Sequence, residues 1–268
     1  INKILNKNKI LAPRLYTQRY DKNFIEIEDF GNETIFKTLK KKGKNKLSYF
    51  NRIIKLLIQI QSIKHRKVKN FRNQNYIIPK YDKKILINEA NLFCDWSAKN
   101  NLSKLRKKRF CKKFKKIIKE LTLKLKLKDN IFVHRDFHVS NLMSVKNQIG
   151  LIDSQDALIG NKAYDLASLI DDVRLKTSYS FKEKIFKFYI KKQKNLDIKK
   201  FKNDFEILSV LRNLKIIGIF TRLALRDRKK NYLRFIPYTW QLINMRIDQN
   251  RTFIDLKNLL SQNFKEIK

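Results

Sequence analysis

Cysteine, glycine, proline and histidine are all scarce in this sequence of 268 residues. It contains two Cys, five Gly, three Pro and three His. Because Cys94 and Cys111 belong to no series of regular spacings, the sequence argues against a disulfide scaffold or a cysteine-rich metal site, and we expect a reducing, cytoplasmic compartment. The shortage of Gly and Pro predicts short loops and a high helix content.

Long hydrophobic runs are missing as well. No apolar stretch approaches the ~20 residues that a membrane-spanning helix requires. No secretory segment is visible, so we expect no membrane partner. The chain begins with Ile1 instead of Met, which leads us to expect that a preceding segment is absent from the sequence.

Acidic residues are heavily outnumbered by basic ones. The 24 Asp and Glu against 63 Lys and Arg give a formal net charge of +39. One interpretation is a surface for nucleic acid or an anionic membrane. The other is a compositional drift toward Lys, Asn and Ile, whose codons are rich in A and T, with the lysines on solvated faces. Lysine is spread along the whole chain and Asn and Ile are abundant too, which favours drift, so nucleic acid is not the expected partner.

Bulky apolar residues, in contrast, are plentiful. Hydrophobic residues make up 43% of the chain and include 19 Phe and 10 Tyr, enough for a sizeable core. Residues 11–31 predict two short strands joined at "YDKN". From about Lys44 the period becomes helical, and one helical face collects Leu47, Phe50, Ile53, Ile54, Leu57 and Ile58.

The rest of the chain reads as mostly helical. Helices are predicted at about 87–99, 103–127, 163–175, 181–193, 201–226, 232–247 and 252–262, and short strands at 131–134 and 148–153. After the second of these strands we expect only helices. The run "KKRFCKKFKK" in the helix at 103–127 could form a basic surface for RNA, although a solvated face is the favoured interpretation.

The two short strands flank the stretch "FVHRDFHVSNLM", residues 132–143. His134, Arg135 and Asp136 are followed after four residues by Asn141, which is the H-R-D-x-x-x-x-N spacing of the protein-kinase catalytic loop. Asp153 ends the second strand, twelve residues beyond Asn141. A lone H-R-D or a lone Asp after a strand is common by chance, but their combination at this spacing indicates phosphoryl transfer.

Phosphoryl transfer has a use for each of three side chains. Asp136 can hold the acceptor hydroxyl and take its proton as catalytic base. Asn141 offers a carbonyl oxygen and Asp153 a carboxylate, both hard ligands suited to the Mg²⁺ that accompanies ATP. His134 and His138 are four residues apart and could ligate zinc on a helix. Because they lie in a loop and no third ligand is evident, we expect them to support the loop through hydrogen bonds.

The chain resembles a known superfamily at these residues. "VHRDFHVSNLM" and "GLIDSQDALIGNKAYDLASLIDDVR" are similar to the aminoglycoside phosphotransferase and choline kinase superfamily, and within it most similar to bacterial kinases of the anomeric hydroxyl of N-acetylmuramate and N-acetylglucosamine. "NEANLFCDWSAKN" resembles their E-x-x-x-F-x-x-W helix, "APRLYTQRYDKNFIEIEDFG" their last N-lobe strands and hinge, and "LRNLKIIGIFTRLALRDRKKNYLRFIP" their C-terminal region.

The resemblance implies a fold and several roles. The expected fold is α+β and protein kinase-like, with a partial β N-lobe at 1–31 and a mostly helical C-lobe at 32–268 that carries the catalytic loop and metal site. Ile27, Glu28 and Asp29 would form the hinge that meets adenine through backbone groups. Asp165 matches a position that orders the active-site region in relatives, while its helical setting equally allows a capping or dipole role.

Two departures from the family pattern are visible. Ser154 follows Asp153 where relatives usually carry an aromatic residue, and a hydroxyl cannot replace the packing of a ring, so local rigidity is expected to suffer. The upstream half of the N-lobe, on the order of 50 residues, is also absent, and with it the glycine-rich loop and the lysine that bind phosphates. Either the sequence is a fragment, which we favour, or it is a shortened relative. We expect a chain of this sequence to show weak catalysis or none.

Several functions remain open at this point. The leading hypothesis is an ATP- and Mg²⁺-dependent kinase of a small molecule, an amino sugar by resemblance, with aminoglycoside and choline as other acceptors. A second is an inactive pseudokinase that only binds nucleotide. A third is a nucleic-acid-associated protein, although no RRM, KH or helix-turn-helix signature is present. A polycationic aminoglycoside would need an acidic cleft, for which the candidates are Glu89, Asp95, Asp156, Asp171 and Asp172.

Overall fold

Helices alternate with pairs of short antiparallel strands in the structure, a computed structural model that describes residues 1–43, 45–70 and 72–266. The helices are α1 Asn2–Lys7, α2 Ile35–Lys40, α3 Lys46–Gln61, α4 Lys83–Leu92, α5 Lys99–Asn101, α6 Lys104–Leu123, α7 Tyr164–Ile170, α8 Tyr179–Lys191, α9 Ile198–Leu225, α10 Ile236–Ile247 and α11 Ile254–Ser261. A π-helical segment, Phe93–Ala98, joins α4 to α5, and short 3₁₀ turns occur at Tyr20–Lys22, Val139–Asn141, Lys230–Phe235 and Arg251–Phe253.

The strands of the described residues form four two-stranded antiparallel pairs. They are β1 Leu15–Arg19, β2 Phe24–Ile27, β3 Lys67–Lys69, β4 Asn75–Ile77, β5 Asp129–Val133, β6 Leu142–Val145, β7 Gln148–Leu151 and β8 Leu158–Asn161. Strand β1 pairs with β2, β3 with β4, β5 with β8, and β6 with β7. The fold is thus α+β and mostly helical.

Polar residues at the helix starts explain several boundaries. Thr34, Asn45, Asp82, Ser178 and Asp197 each accept a hydrogen bond from a backbone N–H in the first turn of the helix that follows. Such caps satisfy donors that the helix itself leaves unpaired. These short-range interactions set where α2, α3, α4, α8 and α9 begin.

The chain divides into two compact units. The first comprises Ile1–Lys80 and Lys128–Leu196, and the second comprises Tyr81–Leu127 and Asp197–Lys268. In the first unit α3 packs against α8 and β5, and Phe50 meets Phe181 edge-on at 5.1 Å. In the second unit α9 packs against α4, the π-helical segment and α10. The domain boundary expected after residue 31 stays a prediction.

The core of the second unit is built on aromatic rings. Phe93 stacks on Phe114 at 5.5 Å and meets Trp240 edge-on at 5.6 Å, with Phe110 and Phe264 alongside. Gly218 of α9 lies against the backbone of Leu92 and Phe93, so its missing side chain is what permits this close approach.

Several expectations need correction. Strand β8 lies in the region where only helices were expected, because "LIGN" pairs with β5, a partner 25 or more residues away that no local pattern reveals. Helix α2 and the β3–β4 hairpin were not predicted. Leu47 was assigned to the buried face of the helix from about Lys44, but it is 38% exposed. Lys44 itself lies outside the described residues. Within those residues, no helix has the length and apolar character needed to cross a membrane.

Candidate active site

The loop after β5 carries His134, Arg135 and Asp136 and is held by Asp165. Arg135 adopts a left-handed backbone conformation with φ of 74°, which costs a non-glycine residue about 1–2 kcal/mol. The carboxylate of Asp165 accepts hydrogen bonds from the backbone N–H of His134 at 2.7 Å and of Arg135 at 3.0 Å. Asp165 is 1% exposed, so these charge-assisted bonds form away from water and offset the backbone strain.

The same contacts bear on the two roles considered for Asp165. It lies in the first turn of α7, but the N-cap residue is Ala163, which makes no side-chain capping bond. Both carboxylate oxygens instead reach the loop before Asp136. The geometry therefore favours the loop-supporting role over capping, while the negative charge still suits the N-terminal end of the helix dipole.

His134 links this loop to the strand that precedes Asp153. Its ring is fully buried, and Nε2 lies 3.1 Å from the backbone oxygen of Ile152. Burial lowers the pKa of His134 below its ordinary value, although the charge of Asp136, the Ile152 carbonyl and the charge of Asp153 partly oppose this. The ring is therefore neutral near pH 7, with Nε2–H donating to Ile152.

His138 supports the loop from its other end. It is 5% exposed; its backbone N–H donates to the oxygen of Asp136 at 3.1 Å, and its own oxygen accepts from the N–H of Asn141 at 2.9 Å. Among the described residues no three His, Cys, Asp or Glu side chains gather as a metal cluster would require. These are backbone contacts, and the loop-supporting role of the His138 side chain stays a prediction.

Asn141 and Asp153 meet beside Asp136. The Asn141 side-chain Nδ2 donates to the backbone oxygen of Asp136 at 3.0 Å and to Asp153 Oδ2 at 3.3 Å. The N–H of Ile152 donates to the backbone oxygen of Asn141 at 3.1 Å. Asp153 has a φ of 63°, a strained conformation of the kind found at functional sites. The structure thus brings together the two residues expected to bind metal and ties them to the loop of the expected base.

The donor chemistry of this pair fits Mg²⁺. Because Asn141 Nδ2 is engaged by two oxygens, the amide is oriented, and its Oδ1 is the atom that would serve as a metal ligand. Asp153 is exposed and supplies a carboxylate, so the pair offers the hard oxygen ligands that Mg²⁺ prefers. Two protein ligands are sufficient for an ion that retains water and takes further oxygens from phosphates.

Ile27, Glu28 and Asp29 lie at the end of the β1–β2 hairpin. The Glu28 N–H donates to the backbone oxygen of Arg14 at 2.8 Å, and Glu28 Oε2 accepts from the Arg14 N–H at 3.2 Å. Asp29 Oδ1 accepts from the N–H of Gly31 at 2.7 Å, which closes a tight turn. These contacts define the local path of the chain, and adenine binding by the three residues stays a prediction.

Two contacts of the site were missed from the sequence. Ser154 is 3% exposed and its hydroxyl donates to Asn2 Oδ1 at 2.5 Å, while Asn2 Nδ2 donates to the oxygen of Pro13 at 2.8 Å. The expected loss of rigidity at Ser154 is therefore countered by a part-buried hydrogen bond to α1. Gln155 Nε2 also donates to Asp153 Oδ1 at 2.7 Å. Only proximity to Asp153 could have indicated Gln155, and no pattern links residues 2 and 154.

The sequence matches the APH phosphotransferase enzyme family over residues 3–195, well over half of the chain. The chain belongs to this family. The match includes the loop, the strand pairs and the helix that build the site described above. It follows that the chain is a phosphotransferase by descent, in agreement with the resemblance seen at residues 132–175.

Curated relatives of this APH-family chain share one description. It is 27% identical over 232 residues to an N-acetylmuramate/N-acetylglucosamine kinase of Neisseria meningitidis serogroup B, which covers 84% of this chain and 67% of the relative. It is likewise 27% identical over 256 residues to the kinase of the same description from Pseudomonas aeruginosa, covering 93% of this chain and 72% of that one.

A solved structure confirms the expected fold. A choline/ethanolamine kinase family protein from Mesorhizobium loti superposes with a TM-score of 0.62 over 96% of this chain and 80% of that protein, at 10% identity. At this identity the likeness shows the fold alone. The α+β, protein kinase-like fold of the APH and choline kinases is therefore the fold of this chain.

Proposed function

We propose that this APH-family protein transfers the γ-phosphate of ATP to a hydroxyl of an amino sugar of the N-acetylmuramate/N-acetylglucosamine type, in the cytoplasm where ATP is supplied. The observation that carries the phosphotransfer part is the contact of Asn141 with both the Asp136 backbone and the Asp153 carboxylate. It brings Asp136, Asn141 and Asp153 close together, which supports the assignment because phosphoryl transfer requires a positioned base and oxygen ligands.

Each residue has a defined task in this proposal. Asp136 orients the acceptor hydroxyl in line with the γ-phosphate and accepts its proton. Asn141 Oδ1 and the Asp153 carboxylate would hold Mg²⁺, which would neutralise charge on the phosphate oxygens. Asp165 keeps the loop before Asp136 in its strained conformation. Neutral His134 and the backbone of His138 limit movement of the loop, so that little reorganisation is needed during the reaction.

The preference for an amino sugar has two supports. Four curated relatives that are 24–27% identical carry this function in their names. In addition, three of the five acidic residues considered for binding a polycation are already paired with a cation, namely Glu89 with Lys215 at 3.0 Å, Asp171 with Lys182 at 3.2 Å and Asp172 with Arg174 at 3.6 Å. A neutral or anionic sugar therefore suits this basic chain better than an aminoglycoside does.

One of the two tryptophans, Trp240, is not available for choline binding. A quaternary ammonium usually binds among exposed aromatic faces. Trp240 is 3% exposed and its ring packs on Phe93 and Phe264 in the core of the second unit. It is therefore not available to a ligand of this kind.

A second candidate is a module that binds nucleotide without turnover. The five glycines form no G-x-G-x-x-G, and no V-A-I-K-like strand is present, so the usual phosphate-binding loop and lysine are missing from the sequence. The retained Asp136, Asn141 and Asp153 favour the enzyme. Binding of Mg·ATP without any phosphorylated product would identify the module.

The direct test is a screen of acceptors with radiolabelled ATP and Mg²⁺. N-acetylmuramate, N-acetylglucosamine, kanamycin and choline are compared at equal concentration, with product detected by chromatography. We expect slow labelling of the acetylated sugars, because the sequence contains neither the glycine-rich loop nor the lysine that bind the phosphates. Asp136→Asn should reduce the rate about 10²–10⁴-fold while ATP binding persists, and Asp255→Asn, an exposed aspartate on α11, serves as the matched control. Label on kanamycin or choline alone would refute the sugar assignment.

A further inference from the structure

Helix α6 has a concentration of positive charge that exceeds even the high average of this chain. Ten of the sixteen residues from Lys104 to Lys119 are Lys or Arg and none is acidic. Nine of the ten are exposed, and we call these nine the α6 basic face: Lys104, Arg106, Lys108, Arg109, Lys112, Lys113, Lys115, Lys116 and Lys119.

The charges of the α6 basic face are not balanced within the protein. In the described part of the chain, no carboxylate oxygen lies within ion-pair distance of these side chains, although pairs form elsewhere on the surface. Cations three and four residues apart repel one another along a helix. The start of α6 adds to this, because Ser103 makes no side-chain capping bond and the first turn has no acidic residue. A bound polyanion would reduce the repulsion between the cations and would interact favourably with the positive end of the helix dipole.

The opposite side of α6 is already occupied by protein. Phe110, Phe114, Ile118 and Leu121 are buried, and Phe110 and Phe114 pack on Phe93. An amphipathic helix that binds a lipid surface needs a free apolar side to insert. Because this apolar side of α6 is buried in the core, an anionic membrane is a poorer partner than nucleic acid.

The exposed side chains also distinguish between kinds of nucleic acid. Proteins that bind single strands usually present aromatic rings on which bases stack. The rings of α6 are buried, and its exposed residues include no Asn or Gln for reading base edges. Contact with the phosphate backbone of a duplex needs neither feature.

The spacing of the lysines suits such a backbone. Lys104, Lys108, Lys112 and Lys116 recur every four residues, so neighbouring members are about 6 Å apart along the helix axis and the row spans about 18 Å. Each strand of a duplex carries one phosphate about every 3.4 Å of duplex axis. A duplex segment as long as the row therefore carries more phosphates than the row has lysines, so each of the four side chains can reach one.

We propose that the α6 basic face binds the phosphate backbone of double-helical nucleic acid without regard to base sequence, and is thus more than the solvated face that the sequence alone favoured. This activity is separate from phosphotransfer: α6 contains none of the residues assigned to the candidate active site. Its physical basis is the release of counterions from the duplex, which makes the affinity fall with added salt.

The test measures binding of the full chain to a fluorescent 20-base-pair duplex by anisotropy at several salt concentrations. The variant carries Lys104→Gln, Lys108→Gln, Lys112→Gln and Lys116→Gln. The logarithm of the association constant falls linearly with the logarithm of the salt concentration, and each lost phosphate contact makes this fall less steep by about 0.9. We therefore expect the slope of the variant to be less steep by about three to four units. A variant with Lys108→Glu and Lys112→Glu should lose more affinity per substitution than the variant with four glutamines. The helix content of both variants is checked by circular dichroism.

A matched control removes the same charge from another helix. Lys184, Lys187, Lys191 and Lys194 are four exposed lysines on and just after α8, and their change to Gln should leave the slope nearly unaltered. Equal weakening of both variants would overturn the proposal, since only net charge would then matter. Tighter binding to single-stranded poly-dT, to polyglutamate or to phosphatidylglycerol vesicles than to the duplex would overturn it as well.

Discussion

The carboxylate of Asp165 accepts a hydrogen bond from the backbone N–H of His134 at 2.7 Å, and its second oxygen holds the N–H of Arg135. This contact crosses from the start of α7 to the end of β5. It stabilises a left-handed Arg135 directly before Asp136, so the position of the proposed base depends on a residue 29 positions later in the chain.

Replacement of Asp165 by Asn should affect both stability and turnover. The amide keeps the shape but offers one acceptor oxygen to two N–H groups, that of His134, which is buried, and that of Arg135, which is part-buried. A buried unsatisfied donor costs about 1–3 kcal/mol. We expect a drop of that size in the free energy of unfolding, measured with urea, and a larger fall in kcat than change in KM for ATP. Asp21→Asn, on an exposed turn, should change neither, and a stable but slow Asp165→Asn protein would show that the contact serves positioning alone.

Acid should destabilise the protein through His134. Burial lowers the pKa of the folded ring, so below the ordinary value of about 6.5 the unfolded chain binds a proton that the folded chain does not. The free energy of unfolding should therefore fall as the pH is lowered from 7 through this range. Urea titrations at several pH values measure the slope. It should become shallower in His134→Gln, and an unaltered slope in that variant would mean that another group causes the pH dependence.

The hydrogen bond between Ser154 and Asn2 should appear as a coupling energy. Ser154→Ala leaves the Asn2 oxygen without its buried donor, and Asn2→Ala does the converse. We expect each single change to lower the free energy of unfolding by about 1 kcal/mol, and the double mutant to lose less than their sum. Strict additivity in the double-mutant cycle would mean that the two side chains do not stabilise each other.

Gly218→Ala should destabilise the second unit although Ala favours helix by about 1 kcal/mol. A methyl group there would lie 2.5 Å from the oxygen of Leu92 and 2.7 Å from the nitrogen of Phe93, and these are backbone atoms that cannot turn aside. Overpacking of this kind costs about 1–3 kcal/mol, so we expect a lower thermal unfolding midpoint.

Gly150→Ala provides the comparison for Gly218→Ala. Its methyl group would meet the ring edge of Phe30 at 2.7 Å, and that side chain can move. We expect a smaller loss of stability than at Gly218. The reverse order would contradict the view that α9 requires glycine for its approach to Leu92.

Parts of the fold followed from local patterns. The apolar period at Phe50, Ile53 and Leu57 predicted α3, and those residues are buried in it. The turn residues "YDKN" predicted the β1–β2 hairpin. In both cases the signal and the structure lie within about fifteen residues, so hydrogen bonding and one-sided burial of the segment are sufficient to specify it.

The sequence by itself determined the residues of the catalytic loop, the family and most of the helices, because each depends on spacing along a short stretch of chain. Only the tertiary structure decided that Asp165 binds the loop, that Asn2 meets Ser154, and that "LIGN" forms a strand with β5. Such contacts join segments 25 to 152 residues apart. Their energy is gained only when the whole chain closes on itself, so no local pattern of residues encodes them.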